Sequence, residues 1–109
     1  LDRANFMNAA PQAYEGGLHK VGAHPAGRSP YGVHDMAGNV NEWTADWHAE
    51  GFSRADVRNP KGPAEGKARV IRGGGRYDRA ERVRSAMRYH GSPQLRADDL
   101  GFRCAADAR

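Results

Sequence analysis

Asp35, Gly38, Val40 and Glu42 lie in the run YGVHDMAGNVNEWTADW, residues 31–47, which crowds carboxylates and amides around a glycine and follows them with Trp43 and Trp47. A hard cation such as calcium takes about six to eight oxygens from carboxylates, amides and backbone carbonyls around a tight turn. Asp35 and Glu42 bracket such a loop, and Gly38 permits a backbone geometry that turns carbonyls inward. The same residues have a plainer use, with Asp35 capping a turn and Glu42 pairing with an arginine. No calcium loop of the EF-hand type is present, and spacing does not choose between the two.

Other chemistry-bearing residues are less organised. The five histidines (His19, His24, His34, His48 and His90) show neither H-x-H nor H-E-x-x-H spacing, so no iron or zinc site is read from them. RGGG at 72–75 lacks the Lys-Ser or wider glycine frame of a phosphate loop. Seven of the fourteen arginines fall between Arg69 and Arg88, with Tyr77 the one aromatic among them. Nucleic-acid binding is not expected without interleaved aromatics, and arginine bias suits fixed pairing with carboxylates. Cys104 is the single cysteine, which excludes an internal disulfide and a cysteine-built zinc site.

The elements that must position these residues are short. A helix from about Asn39 to His48 would bring Trp43 and Trp47, four apart, onto one side, where they serve as core. ARVIRGGG reads as a strand stopped by three glycines. VRSAMRY alternates as a second strand, and LGFRCA as a third with Leu100, Phe102 and Cys104 on one face. Residues 1–30 and 51–67 carry glycine and proline throughout and read as loops. Leu, Ile, Val and Phe number 14 of 109 residues, about 13% and below the roughly 20% at which a self-sufficient core becomes doubtful. Net charge is only +4, so plain disorder is not indicated. A weak core helped by a bound metal, a partner chain or a missing half fits better. The opening LDRANF, without an initiating Met or an entry signal, is expected of a chain that begins inside a domain. No apolar run approaches membrane-spanning length, no signal-peptide pattern is visible, and no membrane association is expected.

YGVHDMAGNVNEWTADW, then RVIRGGG, RSAMR and LGFRCAAD, resembles in order and spacing the C-terminal half of the sulfatase-modifying-factor family, whose founding member is the formylglycine-generating enzyme. The resemblance covers the chain from about Ala4 onward. It implies an α+β fold, a variant of the C-type-lectin-like fold with short strands and long ordered loops. Residues 1–109 would then be the C-terminal part of one such domain. It also implies calcium, held by the Asp35 side chain, the Gly38 and Val40 carbonyls and the Glu42 carboxylate. A second calcium site would use Asn5 and the Phe6 carbonyl with Glu15 and the Gly17 carbonyl, Glu15 standing where the family enzyme has Asp.

Two departures bear on activity. The formylglycine-generating enzyme carries two reactive, copper-binding cysteines between its RGG and GFRC blocks; here that interval, RGGGRYDRAERVRSAMR, holds none and is a few residues shorter. Cys104 aligns with the structural cysteine of GFRC. Copper is therefore not expected, nor is formylglycine synthesis by that chemistry. The family's NVWEW also becomes NVNEW, with Asn41 replacing a Trp. Arg72, Arg84, Arg88 and Arg103 align with family arginines and are expected as buried bidentate partners of Asp46, Asp99 and similar carboxylates, or else as a basic pocket for a peptide carboxylate.

The function expected is a non-catalytic or auxiliary module, stabilised by calcium and binding a protein or other ligand. The alternative is part of an oxygen-dependent enzyme of the family, of the formylglycine-generating or the iron-dependent sulfoxide synthase type, with catalytic groups on another segment or partner chain. Either way the chain is expected to be completed by another polypeptide or by the N-terminal half of the same domain.

Overall fold

A computed structural model describes residues 3–7, 17–51 and 58–108. Four short strands form one sheet: β1 (Asn41–Trp47), β2 (Arg69–Arg72), β3 (Tyr89–Gly91) and β4 (Leu100–Gly101). Their order across the sheet is β3-β2-β1-β4. β2 runs antiparallel to both β1 and β3, whereas β4 lies parallel to β1 and pairs Leu100 with Asn41. The helical content among the described residues is one three-residue 3-10 turn, Pro25–Gly27. No helix among them is long and apolar enough to cross a membrane.

The helix expected over 39–48 is a strand instead. Asn39 adopts the left-handed region, φ 67°, which ends any helical start there. β1 then lies between two neighbours, and Trp43 stands opposite Ile71. Pairing on both edges outweighs the weak helical signal of two tryptophans four apart, and a register shift between Trp43 and Trp47 absorbs their spacing. Both tryptophans are half-buried. Trp47 is covered by the Arg69 guanidinium, 3.4 Å from its ring centroid.

β2 forms and stops before the glycines as its sequence predicts. The strand expected over 83–89 is confined to Tyr89–Gly91, and residues 83–88 run as a bend, a turn and irregular chain, with Arg72 taking the carbonyls of Ser85 and Met87 that a ladder would need. β4 ends at Gly101 rather than continuing through Cys104. Beyond it Arg103 turns toward the 34–42 loop, Phe102 is 76% exposed, and Cys104 is a free, exposed thiol rather than a residue on an apolar face. Among the described residues the buried hydrophobic side chains are Val70 and Ile71, at the centre of the sheet. With so little core, cross-chain hydrogen bonds hold the loops. The Asn39 amide donates to the Asn5 carbonyl at 2.6 Å, Met7 N to Asp78 O at 2.9 Å, and Arg76 N to Asn39 O at 3.0 Å.

Candidate functional site

Three left-handed residues, Asp35 (φ 54°), Gly38 (φ 77°) and Asn39 (φ 67°), curl the chain just before β1. Gly38 is buried, and a Cβ there would stand 2.4 Å from the Asn5 carbonyl oxygen, so only glycine lets segment 3–7 cross the loop. The curl brings Asp35 and Glu42 to one guanidinium. Arg103 donates through Nε to Glu42 Oε2 at 2.7 Å and through a second nitrogen to Glu42 Oε1. Its remaining donors reach the His34 and Asp35 carbonyls at 2.8 and 2.9 Å. The Arg103 pKa is raised, first by its hydrogen bond to Glu42; burial lowers it, and the charges of Glu42 and Asp35 raise it further. Asp35 Oδ2 accepts from the Gly22 amide at 2.7 Å, a link across thirteen residues rather than a local turn cap.

The donors named for calcium at this loop are all hard oxygens, the chemistry that ion requires. A carboxylate has about four acceptor positions, and Arg103 takes two of Glu42's. Two therefore remain for a cation. No group of three or more His, Cys, Asp or Glu side chains suited to a metal occurs among the described residues, so a cation here would depend on the carbonyls.

Of the second set, Glu15 lies outside the described residues. Asn5, 5% exposed, meets the Gly17 carbonyl: its Nδ2 donates to that oxygen and to Asn39 Oδ1, each at 3.0 Å. Asn39, which the sequence did not single out, joins the cluster and also accepts from the His19 amide at 3.0 Å. A cation there would need the Asn5 amide turned over, an exchange of near-isosteric groups that leaves the backbone in place. Phe6 is half-buried beside Asn5.

The other arginines depart from expectation. Arg72 and Arg84 donate to backbone carbonyls, of Ser85 and Met87 and of Glu81, and Arg88 donates to those of Ala49 and Gly51. Asp46 and Asp99 are not their partners in these bonds. The loops leave many carbonyls without a ladder, and a guanidinium fork satisfies two at once. The most buried arginine among the described residues is one that the sequence did not flag. Arg76, 6% exposed, bonds the Asp98 carbonyl and carboxylate, each at 2.9 Å, and the Tyr77 hydroxyl at 2.8 Å.

The two departures noted above meet in space. Asn41 Nδ2 donates to Asp78 Oδ2 at 3.3 Å and to Asp99 Oδ2 at 3.2 Å. Asp78 belongs to the cysteine-free interval, and the same Oδ2 accepts from the Gly75 amide at 2.9 Å. A Cβ on Gly75 would approach Asp99 Oδ2 to 2.7 Å and Asn41 Nδ2 to 2.8 Å, so the backbone is drawn against this polar trio. No spacing rule joins residues 41, 78 and 99; the β1–β4 pairing brings 99 to 41, and the Gly75–Asp78 turn brings 78.

Comparison with known proteins places the chain as a whole. The family model described as sulfatase-modifying factor enzyme 1-like domain matches residues 2–108. The formylglycine-generating enzyme of Mus musculus is 45% identical over 80 residues, which are 71% of this chain and 22% of that protein. The inactive C-alpha-formylglycine-generating enzyme 2 of Mus musculus is 36% identical over 97 residues, 84% of this chain and 27% of that one. The solved structure of Treponema denticola variable protein 1 superposes with a TM-score of 0.71 and 33% identity, over 93% of this chain and 34% of its own. The chain thus spans between a fifth and about a third of the length of these proteins.

Proposed function

Since the chain belongs to the sulfatase-modifying-factor family, with an α+β, C-type-lectin-like fold of short strands and long loops, we propose that it serves as a non-catalytic, calcium-stabilised binding or auxiliary module. The observation that carries this reading is the trio Asn41, Asp78 and Asp99. In the interval where the family enzyme has reactive cysteines this chain has Asp78, which shares with Asp99 the amide of Asn41, itself standing in place of a family Trp. Carboxylates neither attack as thiolates nor offer the soft ligands that copper(I) prefers. Relatives of this chain include both a formylglycine-generating enzyme and a protein named as its inactive counterpart, so family membership accommodates either outcome.

Calcium enters as a clamp. Asp35, Glu42 and the Gly38 and Val40 carbonyls would hold one ion, and Asn5, the Phe6 and Gly17 carbonyls and Glu15 a second. What calcium supplies is charge that fixes loops lacking a ladder. A further polypeptide segment, from the same domain or another chain, would cover the apolar groups left in solvent, among them Val21 at 81%, Tyr31 at 93% and Phe102 at 76% exposure.

Two measurements test the reading. The purified protein, given a cysteine-bearing sulfatase-type peptide, copper, a reductant and oxygen, should leave the peptide mass unchanged; conversion of the cysteine to an aldehyde would overturn the non-catalytic assignment. A calcium chelator should lower Tm, and calcium at about 100 times its Kd should restore about 2.7 kcal/mol. A Tm indifferent to both would remove the clamp.

A further inference from the structure

One face of the sheet carries a cleft of about 230 Å³ that neither the calcium loop nor the paired arginines account for. Its floor is Ile71 and Tyr89, which face each other across β2 and β3, and its walls include Leu95 and Leu100. At one end stand Asn41, Asp78 and Asp99. Two residues lining it keep a buried polar atom with no hydrogen-bond partner among the described residues, Asn41 Oδ1 and the Tyr89 hydroxyl. Burying an unsatisfied polar atom costs about 1–3 kcal/mol, so two in one small cleft are a reason to look for the group that satisfies them.

The sign of the missing group follows from what has been spent. Both carboxylates can only accept, so the Asn41 amide must turn its nitrogen toward them, and it donates to each. That leaves its oxygen as unspent acceptor capacity beside two carboxylates, with the Tyr89 hydroxyl able to accept as well. Arg82 is the one fixed cation of the lining. Its side chain is 58% exposed, 3.9 Å from Asp78, with its guanidinium carbon 5.8 Å from the Tyr89 ring centroid, a position at the rim rather than the floor. His90 is exposed and stacks on His48 at 3.9 Å. An anion would meet acceptors. A bare divalent ion would find the Asn41 amide donor between the two carboxylates and no third acidic or imidazole ligand among the described residues.

We propose that this cleft binds an organic ammonium group on an aliphatic stem, a lysine-type side chain or a free alkylamine, with its N–H donors on Asn41 Oδ1, Asp99 and the Tyr89 hydroxyl and its methylenes along Ile71, Leu95 and Leu100. The proposal deepens the binding-module reading and rests on it, and the two fail separately: peptide conversion tests catalysis, ammonium binding tests the cleft.

Calorimetric titration of the protein at its full length, using the N-acetyl methylamides of lysine and norleucine as probes, makes the test. The two share a four-carbon side chain, and lysine carries an ammonium on the last carbon where norleucine has a hydrogen. The lysine probe should bind at least about tenfold more tightly, the factor expected from a charge-assisted hydrogen bond worth about 1.5 kcal/mol or more. Tyr89→Phe removes a hydroxyl with no hydrogen-bond partner among the described residues, so Tm should hold or rise while lysine-probe affinity falls. Asp99→Asn should weaken that probe by about tenfold or more and leave the norleucine probe unchanged. A butylammonium titration separates the sources: equal affinity for it means a free amine suffices, while preference for the lysine probe adds the peptide flanks. Equal binding of lysine and norleucine, binding of neither, or lysine affinity indifferent to both substitutions would overturn the proposal.

Discussion

Asn41 and Glu42 are adjacent in sequence, and the period of β1 sends them to opposite faces of the sheet. On the Glu42 side both carboxylate oxygens meet Arg103, whose other donors close on the His34 and Asp35 carbonyls, and the His34 ring keeps a buried Nδ1 with no partner among the described residues. On the Asn41 side the amide donors are used and the amide oxygen is not. With Val70 and Ile71 as the buried hydrophobic side chains among the described residues, this part of the chain relies on polar satisfaction where a larger domain would rely on oil. One side of the strand is a joint; the other is a receptor.

The contrast can be broken from the joint first. Arg103→Ala strips a carboxylate and two carbonyls of their donor, and thermal melting should show a loss of about 2 kcal/mol, moderated because solvent reaches the guanidinium. An unchanged melt would mean that the joint carries no stability. Gly75→Ala acts on the receptor side, where its methyl must displace Asp99 and Asn41; a loss of about 1 kcal/mol is expected, together with weaker binding of the lysine probe. Arg103→Lys keeps the charge and loses the fork, for about 1 kcal/mol, and a retained Tm with lost ligand binding would move Arg103 from the joint to a pocket. Asn41→Leu gives up two modest hydrogen bonds and an unsatisfied oxygen, so its net effect on Tm should lie within about 0.5 kcal/mol while the lysine probe weakens. A large loss there would make Asn41 structural and level the two sides.

The smallest expected effect concerns pH. A raised guanidinium pKa stabilises the folded chain at every pH below the unfolded value and ceases to do so only as pH rises through the folded one. The unfolded value already lies far above neutral, so the guanidinium itself should leave the Tm difference between the native protein and Arg103→Ala flat between about pH 6 and pH 9. A difference that changes within that window would place a second titrating group in the joint.

What the sequence made legible was local. The Arg69–Arg72 strand ends where its glycines begin, and Asp35 and Glu42 meet at one cation because a curl of a few residues delivers them there. The plainer reading, with Glu42 on an arginine, is present in the structure; the calcium reading shares the same carboxylate. What stayed hidden depends on pairing at long range. Trp43 and Trp47 carry a helical spacing that two flanking strands override. Arg76 looks like any other member of an arginine-rich stretch until the fold buries it against Asp98. The trio of 41, 78 and 99 exists because β4 returns to β1 beside an unrelated loop.

That return also has a temporal side. The β1–β4 ladder and the Glu42–Arg103 contact join residues about sixty apart in sequence, whereas β2 meets β3 after a much shorter span. Closing the longer loop costs more chain entropy and offers its reward late. On a ribosome the β2–β3 pair can form while β1 still has one free edge, and that edge stays open until residue 103 has emerged. The joint at Glu42 is thus a latch set only after the other strands of this sheet have been made, and a nascent chain halted before it presents an unprotected strand to its neighbours.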